Sequence, residues 1–407
     1  MKGRSSRTGR HPPTDRDAHS VRDRALKFVL FIGVLSLFAD LTYEGSRSVL
    51  GPYLGTLSAS AAVIATVTGF GELAGYVLRL FSGRFADLTG RFWPITIFGY
   101  VVQMAAVPAL ALTRDWPSAA ALIILERAGR AIRNPPRDVM LSHAGEHVGY
   151  GWVFGIREGL DQFGALIGPL LVAAVLAYGG DYHRAFALLA IPALLTLCFL
   201  AAARYLYPRP QDLASKAQGD HGSALPKRYW VYLAGAMLVA AGFADYPLIA
   251  YHLNRAGVTT GAQVAIFYSV AMGVSGAGSL LFGRLFDRWG FSVLIVLTMV
   301  SALFAPLVFF GGFGVALVGA ALWGLGMGVH ESIIPAAVTP MVHRQRRASA
   351  FGLFTAGYGI AWFLGSAAIG VLYERSLTAA VAFCVIAELA ALPLFMWVGR
   401  GGRPSRA

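Results

Sequence analysis

The chain has 407 residues, 56% of them hydrophobic and only 14% charged, with a mean hydropathy of +0.60. Soluble domains carry about 25% charged residues, so an ordinary soluble domain is excluded and an integral membrane protein remains. The net charge of +13 would suit a nucleic-acid binder, but the basic residues cluster beside apolar runs, as loop charges at a bilayer do, and no nucleic-acid partner is expected.

Apolar runs long enough to cross a hydrocarbon core of roughly 30 Å predict twelve helical spans, at 28–46, 58–81, 94–113, 118–136, 150–178, 185–203, 229–251, 262–282, 291–310, 314–338, 349–372 and 377–398. A polar tail (1–27) precedes them, a linker (204–228) rich in Pro, Lys, Gln, Gly and Asp divides them, and a short basic tail (399–407) follows. The expected fold is therefore all-α and integral to the membrane, with two pseudo-symmetric six-helix bundles at 28–203 and 229–398. Arginines and lysines concentrate in the N-terminal tail, the linker, the C-terminal tail and alternate loops, so both termini are expected in the cytoplasm of a multi-pass cell-membrane protein. The N-terminal tail lacks the short apolar core and small-residue cleavage site of a signal peptide. Cys198 and Cys384 lie in separate apolar spans, a spacing that supports neither a disulfide framework nor a CxxC metal site.

Span one carries "FADLTYEGSR", in which Asp40, Glu44 and Arg47 share one helical face with Tyr43 alongside. A carboxylate at that depth needs a partner, water or a proton. That face is expected to border a watery cavity, where Asp40 and Glu44 exchange a proton or hold a cation. The alternative is a Glu44–Arg47 pair at the rim, with Asp40 alone functional. Span two adds Glu72, Tyr76 and Arg79 on one face. Span four reads "LERAGRAIRNPPRD", a stripe of Glu126, Arg130, Arg133 and Arg137 with Arg127 off it. In span five Arg157 and Asp161 are four apart with Glu158 adjacent, and a buried network across spans four and five is expected, either structural or proton-exchanging.

In span seven Asp245 is the repeat mate of Asp40, and His252 lies at the outer end. Span ten offers His330 and Glu331 as proton-relay candidates, followed by Pro335. Tyr358 and Trp362 share a face of span eleven and suit a cavity wall, while Glu388 in span twelve has no role assigned. Asp40, Asp245, His330 and Glu331 form a metal-ligating set in type only. Their depths differ too much, so neither a metal site nor a cofactor is expected.

The two halves echo each other about 200 residues apart. "FAD" occurs at Phe38–Asp40 and Phe243–Asp245, "GRFADLTG" (Gly83–Gly90) answers "GRLFDRWG" (Gly283–Gly290), and "FG" recurs at Phe154 and Phe351. Parallel repeats of this kind build two-bundle transporters with a substrate site between the halves. Gly83-x-x-x-Asp87-x-x-Gly90-Arg91 and Gly283-x-x-x-Asp287-Arg288-x-Gly290 resemble the loop signature of the major facilitator superfamily and its second-half copy. Leu88 stands where the first copy usually has a basic residue. The resemblance implies that Asp87 and Asp287 belong to a conformational latch on the cytoplasmic side. It also implies that Arg127, in the position of the family's fourth-helix arginine, is tied to proton transfer, with Arg130 the other candidate. Gly164-x-x-x-Gly168-Pro169 resembles the fifth-helix signature of antiporters, although Leu170 and Leu171 depart from it.

No P-loop, GxSxG or HExxH motif is present. The expectation is a secondary transporter of a small organic solute rather than an enzyme or receptor. It would work as a monomer, exchanging solute for protons in efflux, with proton-coupled uptake as the alternative.

Overall fold

The structure, a computed structural model, describes residues 15–148, 150–208, 225–330, 334, 337–338, 341–342 and 347–400. The first helix, α1 (Asp15–Arg47), begins inside the polar tail rather than at Phe28 and runs for 33 residues. A break at Ser48 and Val49 separates it from α2 (Leu50–Thr56). Span seven is broken more sharply, between α9 (Lys227–Gly242) and α10 (Tyr246–Arg255), with Phe243 and Asp245 in extended conformation. The "FAD" repeat therefore lies inside a continuous helix in the first half and across a helix break in the second.

The second span of each half matches its mate closely. The helix α3 (Ala61–Thr89) starts where the Ser60 hydroxyl accepts the Val63 N–H, and α11 (Gly261–Trp289) starts at a capping box of Thr260 and Gln263. Each is 29 residues long, and they stop at Gly90 and Gly290, whose φ values of 64° and 58° favour glycine. The loop signature thus works as a helix stop in both halves.

The remaining helices are α4 (Phe92–Ala109), α5 (Trp116–Val148), α6 (Tyr150–Ala177), α7 (Tyr182–Leu188), α8 (Ala190–Leu206), α12 (Phe291–Ser301), α13 (Phe304–Phe310), α14 (Phe313–Gly328), α15 (Arg347–Arg375) and α16 (Leu377–Arg400). Among the described residues there is no strand, and nine helical stretches are long and apolar enough to cross a membrane. The helices α5, α11 and α14 stand where spans four, eight and ten are expected; α5 is a continuous helix whose apolar run is broken by its charged stripe, and α14 has only 16 residues.

In the first half α1 packs on α5, α6 and α8; in the second α9 packs on α15 and α16, and α11 on α14. The α1–α6 contact depends on Gly164 and Gly168, since a Cβ on either would sit 2.3 Å from a backbone oxygen of α1. The halves meet along α3–α15 and α6–α11, and through α2 against α10. At this last contact the backbones nearly touch: a Cβ on Gly51 would lie 1.7 Å from the Pro247 carbonyl oxygen. The halves are thus sealed together on the face opposite the start of α1, the distal face. Large apolar side chains such as Phe81, Phe98, Leu194, Val296 and Leu364 are exposed on the perimeter, as lipid-facing surface requires.

Candidate functional site

Asp40, Tyr43, Glu44 and Arg47 form one buried face of α1, directed at both halves. Arg47 reaches across the seam and donates from Nη2 to Asp245 Oδ1 at 2.9 Å. The same carboxylate oxygen accepts the Tyr246 N–H, capping α10, so the helix break in span seven holds Asp245 in place for Arg47. Glu44 does not pair with Arg47; its Oε2 accepts the Tyr268 hydroxyl of α11 at 2.5 Å, a second bond between the halves.

From Arg47 the polar contacts continue through the first half. Glu72 Oε1 lies 3.7 Å from Arg47 and 2.8 Å from Arg127 Nη1. The Nε of Arg127 is 3.7 Å from Glu126, which accepts the Gln103 amide at 2.7 Å. Arg133 donates to Gln103 Oε1 at 2.6 Å and to the Tyr100 hydroxyl at 2.7 Å, and its Nη2 lies 3.8 Å from Asp40. The chain Asp245–Arg47–Glu72–Arg127–Glu126–Gln103–Arg133–Asp40 therefore joins α1, α3, α4, α5 and the α10 cap. Buried charges are tolerated when paired this way, and hydrogen bonds in such a network strengthen one another.

A second cluster lies nearer the tail side. Arg157 grips Asp161 at 2.6 Å and lies 3.8 Å from Asp138, and Arg137 pairs with Asp138 at 2.9 Å and donates to Ser36. Spans four and five are thus connected through Arg137 and Asp138 rather than through Glu126 and Arg130. Asp138 and Glu158 retain 39% and 49% side-chain exposure, so this cluster reaches solvent.

The facing wall is aromatic. Tyr358 shares a hydrogen bond with His330 Nδ1 at 2.8 Å; the Phe243 ring lies tilted against His330 at 4.3 Å, and Trp362 lies 5.7 Å from the same ring. Tyr76 of α3 meets Tyr358 edge-on at 6.1 Å, which carries the aromatic wall across the seam. Tyr43 lies beneath three guanidinium groups, those of Arg130 (4.1 Å), Arg127 (4.9 Å) and Arg47 (6.0 Å).

Glu331 and Pro335 lie outside the described residues, as do the side chains of Asp87 and Asp287. Around those loops, Gly83 packs on Pro135, Arg91 begins α4 and the Arg288 guanidinium covers Trp289; Gly283 lies within α11. His252 shares a bond with the Tyr373 hydroxyl at 2.9 Å. Glu388 is fully buried away from the seam and, among the described residues, has no ion pair, with only the Ser301 hydroxyl beside its carboxylate. Gln103, Asp138, Tyr100 and Tyr268 were not among the expected site residues. Gln103 was legible as a single amide in the apolar run of α4, whereas nothing local marked Tyr268.

Two helical halves joined along a polar and aromatic seam define a multi-pass membrane transporter. The chain belongs to the Major Facilitator Superfamily, whose family model matches residues 30–366. It is 38% identical to an uncharacterized protein of Mycobacterium tuberculosis over 375 residues, covering 90% of this chain and 92% of that one. It is 25% identical over 368 residues to an uncharacterized MFS-type transporter of Methanocaldococcus jannaschii, covering 87% and 90%. Among solved structures, the nucleoside transporter NupG superposes with a TM-score of 0.72 at 15% identity, covering 93% of this chain and 100% of that one. A bacterial homolog of the human lysosomal transporter Spinster, in an inward-facing and unoccupied conformation, gives 0.69 at 14% identity, covering 94% and 99%. Likeness at this identity concerns the fold alone.

Proposed function

We propose that the protein is a proton-coupled exporter that moves a small organic solute out of the cell by alternating access, with both termini in the cytoplasm and the distal face outside. The observation that carries this reading is the Arg47–Asp245 pair between the halves, continuous with the carboxylate–arginine chain of the first half. With Asp245 ionised, the pair holds the distal face shut. A proton on Asp245, or a solute that draws Arg47 away, releases it. An empty, deprotonated carrier is therefore held in one state. A symporter must return empty, whereas an antiporter must not, so the lock favours exchange. Asp40 and Glu126, at the far end of the chain of contacts, are the proposed proton acceptors, with Arg127 and Arg133 tuning them. Asp161 serves the tail-side exit, and His330 with Tyr358 and Trp362 lines the solute path.

Proteoliposomes loaded with a pH-sensitive dye test this reading, using a panel of organic solutes with and without an imposed proton gradient. Solute efflux should drive proton movement in the opposite direction. In Asp40→Asn, which keeps shape and removes the titrating proton, solute counterflow should persist while gradient-driven flux is lost. Gradient-driven flux at the wild-type rate in that variant would remove Asp40 from the coupling path, and solute flux indifferent to the gradient in wild type would overturn proton coupling.

A further inference from the structure

The ion pairs of the seam leave a remainder. Asp40, Glu72, Glu126, Asp138, Asp161 and Asp245 each have a guanidinium within 4 Å, and Glu44 holds the Tyr268 hydroxyl. Two arginines of the same region, Arg79 of α3 and Arg130 of α5, have neither an ion pair nor a hydrogen bond among the described residues, and the Nε of each is buried without a partner. Each instead lies against an aromatic face, Arg79 over Tyr76 at 5.6 Å and Arg130 over Tyr43 at 4.1 Å. Carboxylates of the seam, Glu72 among them, offset their charge only from beyond ion-pair distance, so both forks lack a direct oxygen partner among the described residues, and an oxyanion held between them would supply one.

We propose that Arg79 and Arg130 form the anion-binding subsite of the transport cavity, and that the solute is a small organic oxyanion, a carboxylate or phosphate ester, with an apolar or aromatic body. Guanidinium forks match the paired oxygens of either group. Tyr43 and Tyr76 hold the two forks by their faces, and Tyr76 leads to Tyr358 and His330, whose rings supply a surface for the body of the solute. The orphan Tyr43 hydroxyl and Trp362 Nε1 are further unpartnered polar atoms in this region. This inference rests on the reading of the seam as the solute path, so binding and flux are measured separately.

Thermal stabilisation of the purified full chain in detergent is titrated with benzoate, phenyl phosphate, inorganic phosphate and the neutral isostere benzamide. Benzoate or phenyl phosphate should stabilise the wild type and benzamide should not; their order tells carboxylate from phosphate preference, and a weaker effect of inorganic phosphate shows that the aromatic wall contributes. Loss of charge-assisted bonds in Arg79→Gln or Arg130→Gln should weaken binding roughly tenfold to a hundredfold, with Arg79→Lys and Arg130→Lys intermediate. Arg255→Gln, on the distal surface, should bind as the wild type does. If the Gln variants do not fold, the Lys variants carry the test, since they keep the charge and lose the fork. Benzamide binding as well as benzoate, failure of every anion to stabilise, or undiminished binding in both the Gln and Lys variants overturns the proposal. Anion binding without counterflow in liposomes would overturn the transport reading and leave the subsite standing; counterflow of neutral solutes unaffected by Arg79→Gln and Arg130→Gln would do the reverse.

Discussion

The two halves solve the burial of their interiors differently. In the first, Asp40, Glu44, Glu126 and Asp161 are buried beside Arg47, Arg127, Arg133 and Arg137, and helix contacts run through ion pairs. In the second, Tyr232, Phe243, Tyr246, Tyr268 and Trp323 fill the corresponding space, their polar tips satisfied one at a time. The Tyr232 hydroxyl donates to Ile334 O, the Tyr246 hydroxyl to Val264 O and the Trp323 indole to Ala244 O. An interior of paired charges is one in which the arrival of a proton or an anion changes which contacts exist. An aromatic interior keeps its contacts whatever the pH. The asymmetry suggests that the first half senses the cargo and coupling ion while the second serves as the rigid wall, with Arg47–Asp245 and Tyr268–Glu44 as the points where sensing reaches the wall.

That division is broken most directly at the seam. Removing one member of a buried pair leaves the other uncompensated, at about 3–5 kcal/mol. Arg47→Met and Asp245→Leu should each lower the melting temperature strongly, while the double variant should recover most of the loss, because an apolar pair of similar volume replaces the ions. Additive losses in the double variant would mean that the two residues do not act on each other and that the seam is held by packing alone.

A smaller contrast separates the halves themselves. Glu126 is held by Gln103 and lies beside Arg127, so Glu126→Met should cost about 1–3 kcal/mol by orphaning them. Glu388 is also buried but, among the described residues, has no ion pair and only the Ser301 hydroxyl beside it, so Glu388→Met should leave the melting temperature unchanged or raise it. Equal destabilisation by the two changes would show that the second half also carries a buried polar network.

Much of the fold was legible because it is written in local chemistry. Apolar run lengths mark the spans, and Gly90 and Gly290 of the repeated loop signature mark helix stops. The face of Asp40, Glu44 and Arg47 was equally legible from its spacing. Their partners were not, because Asp245 lies 198 residues from Arg47 and Tyr268 lies 224 from Glu44, and nothing in one sequence connects them. The match of "FAD" in the two halves made Asp245 the expected counterpart of Asp40 inside a helix. Periodicity does not show that span seven breaks there and uses the aspartate as a cap. Gly164 and Gly168 looked like an exchange signature; in the structure they are where α6 presses on α1, a packing role that sequence spacing alone does not separate from a functional one.

The central claim is that the Arg47–Asp245 pair locks the distal face until a proton or solute releases it. Spin labels at Ser58 and Ala256, exposed positions beside α2 and α10, report the opening of that face in lipid nanodiscs. In the wild type a short distance should dominate. In Asp245→Asn, which removes the charge that holds Arg47, a longer population should appear. A distance distribution that is the same in the wild type and Asp245→Asn would contradict the account.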